Sequence, residues 1–405
     1  MGPLYTAARG LAMPPFLRES PFLRETILQH DLTPYFGALR AFRRRQDLMS
    51  SPLYQRIGGE LDRILCAVEQ GHHAEAEDRG LPRLRLVAWN IQRGRRLQAL
   101  QAALRTHPVL READVLLLSE VDNGMARSGN RNVARELAIA LRMNYAFGVS
   151  YLALGDDYGE NPEGRENTLG LAGCAILSRL PLRRVENVDL PELRDKFRGS
   201  EKRLGHKRAL LAELELPGRP LSCASVHLDS NASPRQRAAQ LAAVLDRLEA
   251  AGGRLVGGGD LNTTTYDASA TLPLLRDIAH KLFVTGFHAT VDNYMTPERL
   301  YETPLFELLA SRGFTVEGLN DRTLPTVFYD LHSDFAMQKV RKKVGPLLLA
   351  LLQYLLRPWN GVVGARLDWF FGRNVEPLGA AVVDPRDEAG VPISDHAAVV
   401  LDIAR

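Results

Sequence analysis

Seven short apolar runs, RLRLVAWN, DVLLLSEV, GCAILSRL, LSCASVHL, GRLVGGGDLN, ARLDWFFG and HAAVVLDI, are spread between Arg83 and Arg405 and bounded by turn residues. Runs this short and this apolar read as well-buried strands. Amphipathic helical patterns separate several of them. The clearest is SPRQRAAQLAAVLDRLEA, in which Ser233 caps, Pro234 takes the first turn, Gln236 completes a capping box and Gly252 follows the end. Strands alternating with helices predict an α/β domain over 83–405.

The 82 residues before it read as helix and linker, because LTPYFGALRAFRRRQDL and YQRIGGELDRILCAVEQ repeat apolar residues at three- and four-residue steps. Their arginines Arg43, Arg44 and Arg45 read as a solvated helix face. Two further stretches, near 267–301 and 333–361, interrupt the strand series as helical insertions. At 405 residues, 45% hydrophobic and 24% charged, the chain has ample material for a core without staples and lies outside the disordered and collagen-like classes.

A net charge of +3 is too small to announce a nucleic-acid partner by itself. Cys66, Cys174 and Cys223 are far apart and carry neither CxxC spacing nor a disulfide framework, so a reducing, cytoplasmic setting is expected. The N-terminal residues are broken by prolines and arginines before they form a secretory signal, and no transmembrane helix is expected. The longest apolar run, PLLLALLQYLL at 346–356, follows the basic Lys339 to Lys343. Together, 339–356 reads either as a peripheral membrane contact or as a helix covering a sheet.

The polar residues fall in informative places. Asn90 ends one run, Glu120 a second and His227 a third; Asp260 and Asn262 close the fourth, and Asp395 and His396 open the last. Buried strands deliver their end residues to the rim of a sheet, where carboxylates, an amide and imidazoles can converge on one cleft. Such side chains suit hard metal ions and phosphate oxygens. Gly257, Gly258 and Gly259 would allow close backbone approach there.

The ordered series WNIQRG (89–94), LLLSEVD (116–122), AILSR (175–179), SVHLDS (225–230), GGDLNT (258–263), RLDWFF (366–371) and SDHAAV (394–399) resembles the endonuclease/exonuclease/phosphatase, or DNase I-like, superfamily. It also looks like bacterial members whose substrates are undetermined. The resemblance implies a four-layered sandwich of two mixed β-sheets flanked by helices, here with an N-terminal helical extension. It implies hydrolysis of a phosphoester with a divalent metal, Mg²⁺ with Mn²⁺ as a substitute. By the same resemblance Asn90, Glu120 and Asp395 match metal-holding positions and Asp260 the carboxylate that orients or deprotonates the attacking water. Asn262 matches a phosphate-contacting amide, Asp368 the acid paired with His396, and His227 a second histidine that binds phosphate or assists the leaving group. Cys174 stands where the AILSR motif is often preceded by asparagine.

Asn167 and Arg208 lie near the motif strands as candidate substrate contacts, and the clusters at 93–96 and 202–208 as candidate polyanion sites. A phosphodiesterase reading follows. Its alternatives are a nuclease acting on DNA or RNA, a phospholipid or sphingomyelin-type phosphodiesterase, and a non-catalytic scaffold of the same fold. Oligomeric state is not readable from the sequence.

Overall fold

The computed structural model describes residues 25–74, 80, 82–155, 164–216, 218–330, 350, 354 and 356–405. Its strands, in chain order, are β1 (Val68–Gly71), β2 (Arg83–Arg93), β3 (Val115–Asn123), β4 (Asn144–Ala153), β5 (Leu171–Ser178), β6 (Leu182–Asp189), β7 (Arg203–Gly205), β8 (Arg208–Leu214), β9 (Leu221–His227), β10 (Arg254–Asp260), β11 (Val327–Asp330), β12 (Val362–Ala365), β13 (Asp368–Arg373), β14 (Pro377–Val383) and β15 (Ala398–Ala404). Among the described residues, one sheet runs β1-β4-β5-β3-β2-β15-β14 with β7 beside β4, a second runs β13-β10-β9-β8-β6, and β11 and β12 form a separate ribbon. Each large sheet mixes a parallel pair, β2 with β3 or β9 with β10, with antiparallel neighbours.

The apolar runs explain the layering. Leu86, Ala88, Leu117 and Ile176 of the first sheet meet Leu210, Ala212, Cys223, Val256 and Phe370 of the second in a shared core. The helices Pro52–Leu65, Leu97–Thr106 and Val133–Leu141 cover the other face of the first sheet through Ile57, Leu61, Leu100, Leu104 and Leu137. Pro234–Ala251 and Thr303–Ser311 cover the second through Leu241, Leu245, Leu305 and Leu309. The result is the expected four layers. At Ser233 the capping box is present: its side chain accepts from Gln236 N while Gln236 returns a bond to the Ser233 backbone, an arrangement typically worth about 1 kcal/mol.

The segment before Arg83 is helical over Phe36–Ala41, Arg45–Met49 and Pro52–Leu65, but its last part is a strand. Val68–Gly71 pairs with Tyr145–Gly148 of β4. The helical periodicity of that stretch gives way because β4 offers an open edge and because Glu69, buried there, accepts bonds from Tyr145 Oη (2.7 Å), Asn132 Nδ2 (2.6 Å) and Leu28 N (2.8 Å). Tertiary pairing overrides local propensity.

The glycine run in β10 differs in purpose from the phosphate approach expected of it. A side chain at Gly257 would strike the Phe371 ring at 2.1 Å, and one at Gly259, where φ is +140°, would strike the Val226 carbonyl at 2.1 Å. These glycines admit neighbouring strands and rings.

The first insertion carries the helices Thr271–His280 and Phe287–Asp292 with a π-helical turn, Lys281–Thr285, between them. Of the 339–356 stretch, all but residues 350, 354 and 356 lie outside the described residues, as does most of the second insertion. No helix among the described residues is long and apolar enough to cross a membrane.

Candidate active site

Strand register assembles the site. Asp260 at the end of β10 sits opposite His227 on β9 and opposite Asp368 on β13, so three polar ends form one row across the second sheet. The first sheet brings Asn90 and Glu120 to the same end from β2 and β3, and His396 arrives just before β15. The ribbon closes one flank: Val327 bridges His396, and the Thr326 hydroxyl accepts from Asp368 N at 3.2 Å.

Asp260 is the hub. One of its oxygens accepts from Asn262 N (2.9 Å), and the other faces Asn90 Nδ2 (3.2 Å), His227 Nε2 (3.5 Å) and His396 Nε2 (3.8 Å). Burial, reinforced by the nearby Asp368 charge and opposed by His396, pushes its carboxyl up to about 7.

His396 is clamped on three sides. Its Nδ1 meets Asp368 Oδ2 at 2.8 Å, its backbone N donates to Ser394 Oγ at 3.3 Å, and its carbonyl accepts from Trp89 Nε1 at 2.8 Å. Burial works against a charge on this ring, yet Asp368 and Asp260 outweigh it and hold the imidazole well above its usual range. His227 goes the other way: burial and the Lys207 ammonium hold it well below. Two histidines around one aspartate are therefore pushed to opposite protonation states.

Glu120 adopts φ 51° and Asn262 φ 49°, a left-handed backbone uncommon outside glycine. Around Glu120 the pairing of β3 with both neighbours slips, skipping from Asn90 to Arg93 on β2 and from Leu118 to Val121 opposite β5. That irregularity re-aims the side chain, as bulges beside functional sites do. Burial alone would raise its carboxyl, but Arg93, 3.6 Å away, with His227, Lys207 and His396 holds it far below the ordinary range.

The remaining candidates divide. Asn90 is buried, its amide engaged by Asp260 and by Gln92 N (3.1 Å). Asn262 donates to the Leu228 carbonyl at 2.9 Å. Asp395 is exposed at the rim, 3.4 Å from Ser394 Oγ. Asn167 is spent on backbone, accepting from Ala126 N (2.8 Å) and donating to Ala153 O (3.2 Å). The Arg208 guanidinium turns away to Asp189 (2.6 Å) and the Leu65 carbonyl, tying the N-terminal segment down. Sequence reasoning took its neighbour Lys207 only as one member of the 202–208 cluster. Lys207 is pushed down to about 8 by burial while Asp229, Glu120 and Asp260 pull it back up, so this lysine joins Arg93 as a cation in the field of the acids. Neighbouring residues of an extended segment face opposite sides, and the arginine drew attention to the wrong one of the pair.

The donor set fits a hard cation. Asp260, Asp368 and His396 lie within 4.8 Å of one another, the charged His396 ring balancing the two aspartates rather than ligating, and Asn90 beside them supplies an amide oxygen. Glu120, 30% exposed, adds a carboxylate, which with amide oxygens is the chemistry such ions take.

The sequence profile described as Endonuclease/Exonuclease/phosphatase family matches residues 87–396, more than half of the chain. This protein belongs to that family. Family and fold point to a hydrolase of the phosphoesterase or nuclease type. No curated protein matches the chain. Among solved structures, an endonuclease/exonuclease/phosphatase from Beutenbergia cavernae is 18% identical, with 80% of this chain and 72% of that one covered and a TM-score of 0.49. The 3′-5′ exonuclease NExo from Neisseria meningitidis is 17% identical, covering 80% of this chain and 100% of its own, at a TM-score of 0.45. A humanized D. rerio TDP2 is 15% identical with the same coverage, at 0.44.

Proposed function

We propose that the chain is a divalent-metal-dependent phosphodiesterase that cleaves its substrate by in-line attack of water. The observation that carries this reading is Asp260 set between His227 and His396, with His396 backed by Asp368 at 2.8 Å. Asp260, with its carboxyl near neutrality, takes the proton of the attacking water and orients it. His396, kept charged by Asp368, binds a phosphoryl oxygen as negative charge grows on it. His227 lies across Asp260 and hydrogen-bonds the phosphate or the departing oxygen, while Asn262, whose backbone N donates to Asp260, and the Lys207 charge act beside it. Glu120, Asn90 and Asp395 are the residues that would hold Mg²⁺ or Mn²⁺, which when bound supplies neutralisation of the developing phosphoryl charge.

The test is hydrolysis of bis-p-nitrophenyl phosphate with and without Mg²⁺ or Mn²⁺, beside Glu120→Ala and His396→Ala. Metal-dependent release that both substitutions abolish is expected. If the intact protein equals buffer under either metal, the fold serves as a non-catalytic scaffold. Substrate class stays a separate question. A DNA or RNA strand would show binding that weakens steeply with salt, and a phospholipid or sphingomyelin-type substrate would show flotation with liposomes that depends on 339–356.

A further inference from the structure

Beside the catalytic row lies a second, positively charged hollow. It has a volume of about 250 Å³ and is lined by Arg194, Lys196, Arg198 and Arg203 against the acids Asp195 and Glu201, with Asn231 on one wall. None of the residues assigned above to catalysis or metal holding lines it.

Two routes join it to the site. On one side Lys196 pairs with Asp229 at 2.6 Å, two residues beyond His227. On the other, Glu201 meets Arg93 at 3.3 Å, and Arg93 reaches Glu120 at 3.6 Å. A ligand in the hollow is thus within a side chain or two of whatever the catalytic residues hold.

The charges of the lining are not equally committed. Glu201 is enclosed by Arg203, Arg127 (2.8 Å) and Arg93, so its charge is neutralised from within the protein. Asp195 caps the short turn through Phe197 N at 3.0 Å and meets Arg198 only at 3.9 Å. Arg194 and Arg198 are exposed. Arg203 is spent on Glu201 and Lys196 on Asp229, so the heads that the hollow offers an anion are those of Arg194 and Arg198.

We infer that this hollow is a second phosphate subsite, so that the preferred substrate carries a further phosphate group next to the one that is cleaved. The inference rests on the phosphodiesterase reading and adds a substrate class to it. Guanidinium groups bind phosphate through paired, charge-assisted bonds.

The experiment uses matched one- and two-phosphate esters, followed by p-nitrophenol release in the first arm and by chromatography of the products in the second. Thymidine 5′-p-nitrophenyl phosphate carries one phosphate, and the same ester bearing a 3′-phosphate carries two. A second arm compares glycerophosphoinositol with its 4-phosphate, separating a nucleotide source of the second phosphate from a sugar or headgroup source. In at least one arm the two-phosphate compound is expected to show roughly tenfold higher kcat/KM, mainly through KM. Arg194→Ala/Arg198→Ala should bring that ratio close to one, Arg194→Lys/Arg198→Lys should keep most of it, and raised salt should shrink it. A circular dichroism spectrum and thermal melt like the parent's establish that the alanine variant is folded. If the intact enzyme hydrolyses the one-phosphate esters yet shows no preference in either arm, or if the ratio survives in the folded alanine variant, the subsite is refuted while the phosphodiesterase reading stands. If no ester is cleaved, that reading fails first.

Discussion

Glu120 and Asn262 share one backbone peculiarity from opposite sheets: each holds a left-handed conformation, at φ 51° and φ 49°, at the end of the strand series that delivers it to the cleft. Positions of this kind cost about 1–3 kcal/mol and persist where the surrounding structure enforces them. Asn tolerates the conformation; Glu does so less readily.

Chemistry and conformation can be separated at Glu120. Glu120→Gln and Glu120→Val should both abolish metal-dependent turnover. A β-branched side chain at positive φ adds strain, so only the valine variant should also lose about 1–2 kcal/mol of stability. Urea unfolding of the two variants checks this; equal midpoints would show that the backbone there is unstrained.

If the proposed mechanism holds, the Asp368–His396 pair should set the alkaline side of the pH profile. His396 is held charged well above its usual range by two aspartates, so activity that needs the imidazolium persists until the pH passes that raised value. Asp368→Asn should cut kcat by about 10²–10³ and move the alkaline limb of the kcat profile to lower pH. A lower kcat with an unmoved limb would assign the limb to another group.

His30 governs how the N-terminal segment docks as pH falls. Its Nε2 meets the Leu169 carbonyl at 2.7 Å and its Nδ1 accepts from Leu32 N at 3.1 Å, a pattern that only the neutral ring satisfies. Burial lowers its pKa in the folded state. The unfolded chain therefore takes up the proton first, so this contribution is complete above about pH 6.5 and drains away as the pH drops through and below that value. Protection factors over residues 28–36, with exchange rates corrected for the intrinsic pH dependence, should fall between pH 7 and pH 5, more than in a His30→Gln variant.

Arg237 and Glu302 form a fully buried ion pair that fastens the helix Pro234–Ala251 to the loop that follows β10, since Glu302 also accepts from Thr265 N at 3.0 Å. Arg237→Met alone should cost about 3–5 kcal/mol, because it leaves a carboxylate uncompensated in the interior. Arg237→Met with Glu302→Leu should recover a large part. A double-mutant cycle measured by denaturant unfolding reads the coupling directly.

Most of the candidate site was legible in the sequence because it sits at the ends of apolar runs. Asn90, Glu120, His227, Asp260 and His396 could be picked out by position alone, and the fold places them at one end of the two sheets. β6 and β14, whose residues alternate or stay exposed, carried no comparable signal. What periodicity could not reveal was long-range partnership. Val68–Gly71 looks helical until β4 is beside it, Asn167 looks like a substrate contact until its amide is found on two backbone groups, and Lys207 is hidden next to a more conspicuous arginine.

The pairing of β1 with Tyr145–Gly148 has a practical consequence for anyone trimming this chain. A version begun at Arg83 would strip the outer border from the first sheet and bare a row of amide and carbonyl groups along β4, with Tyr145 deprived of Glu69. Such a border invites another copy to stack against it. The shortened protein should come off a sizing column as aggregates, and the residues ahead of Arg83 then act as a plug that keeps each molecule to itself.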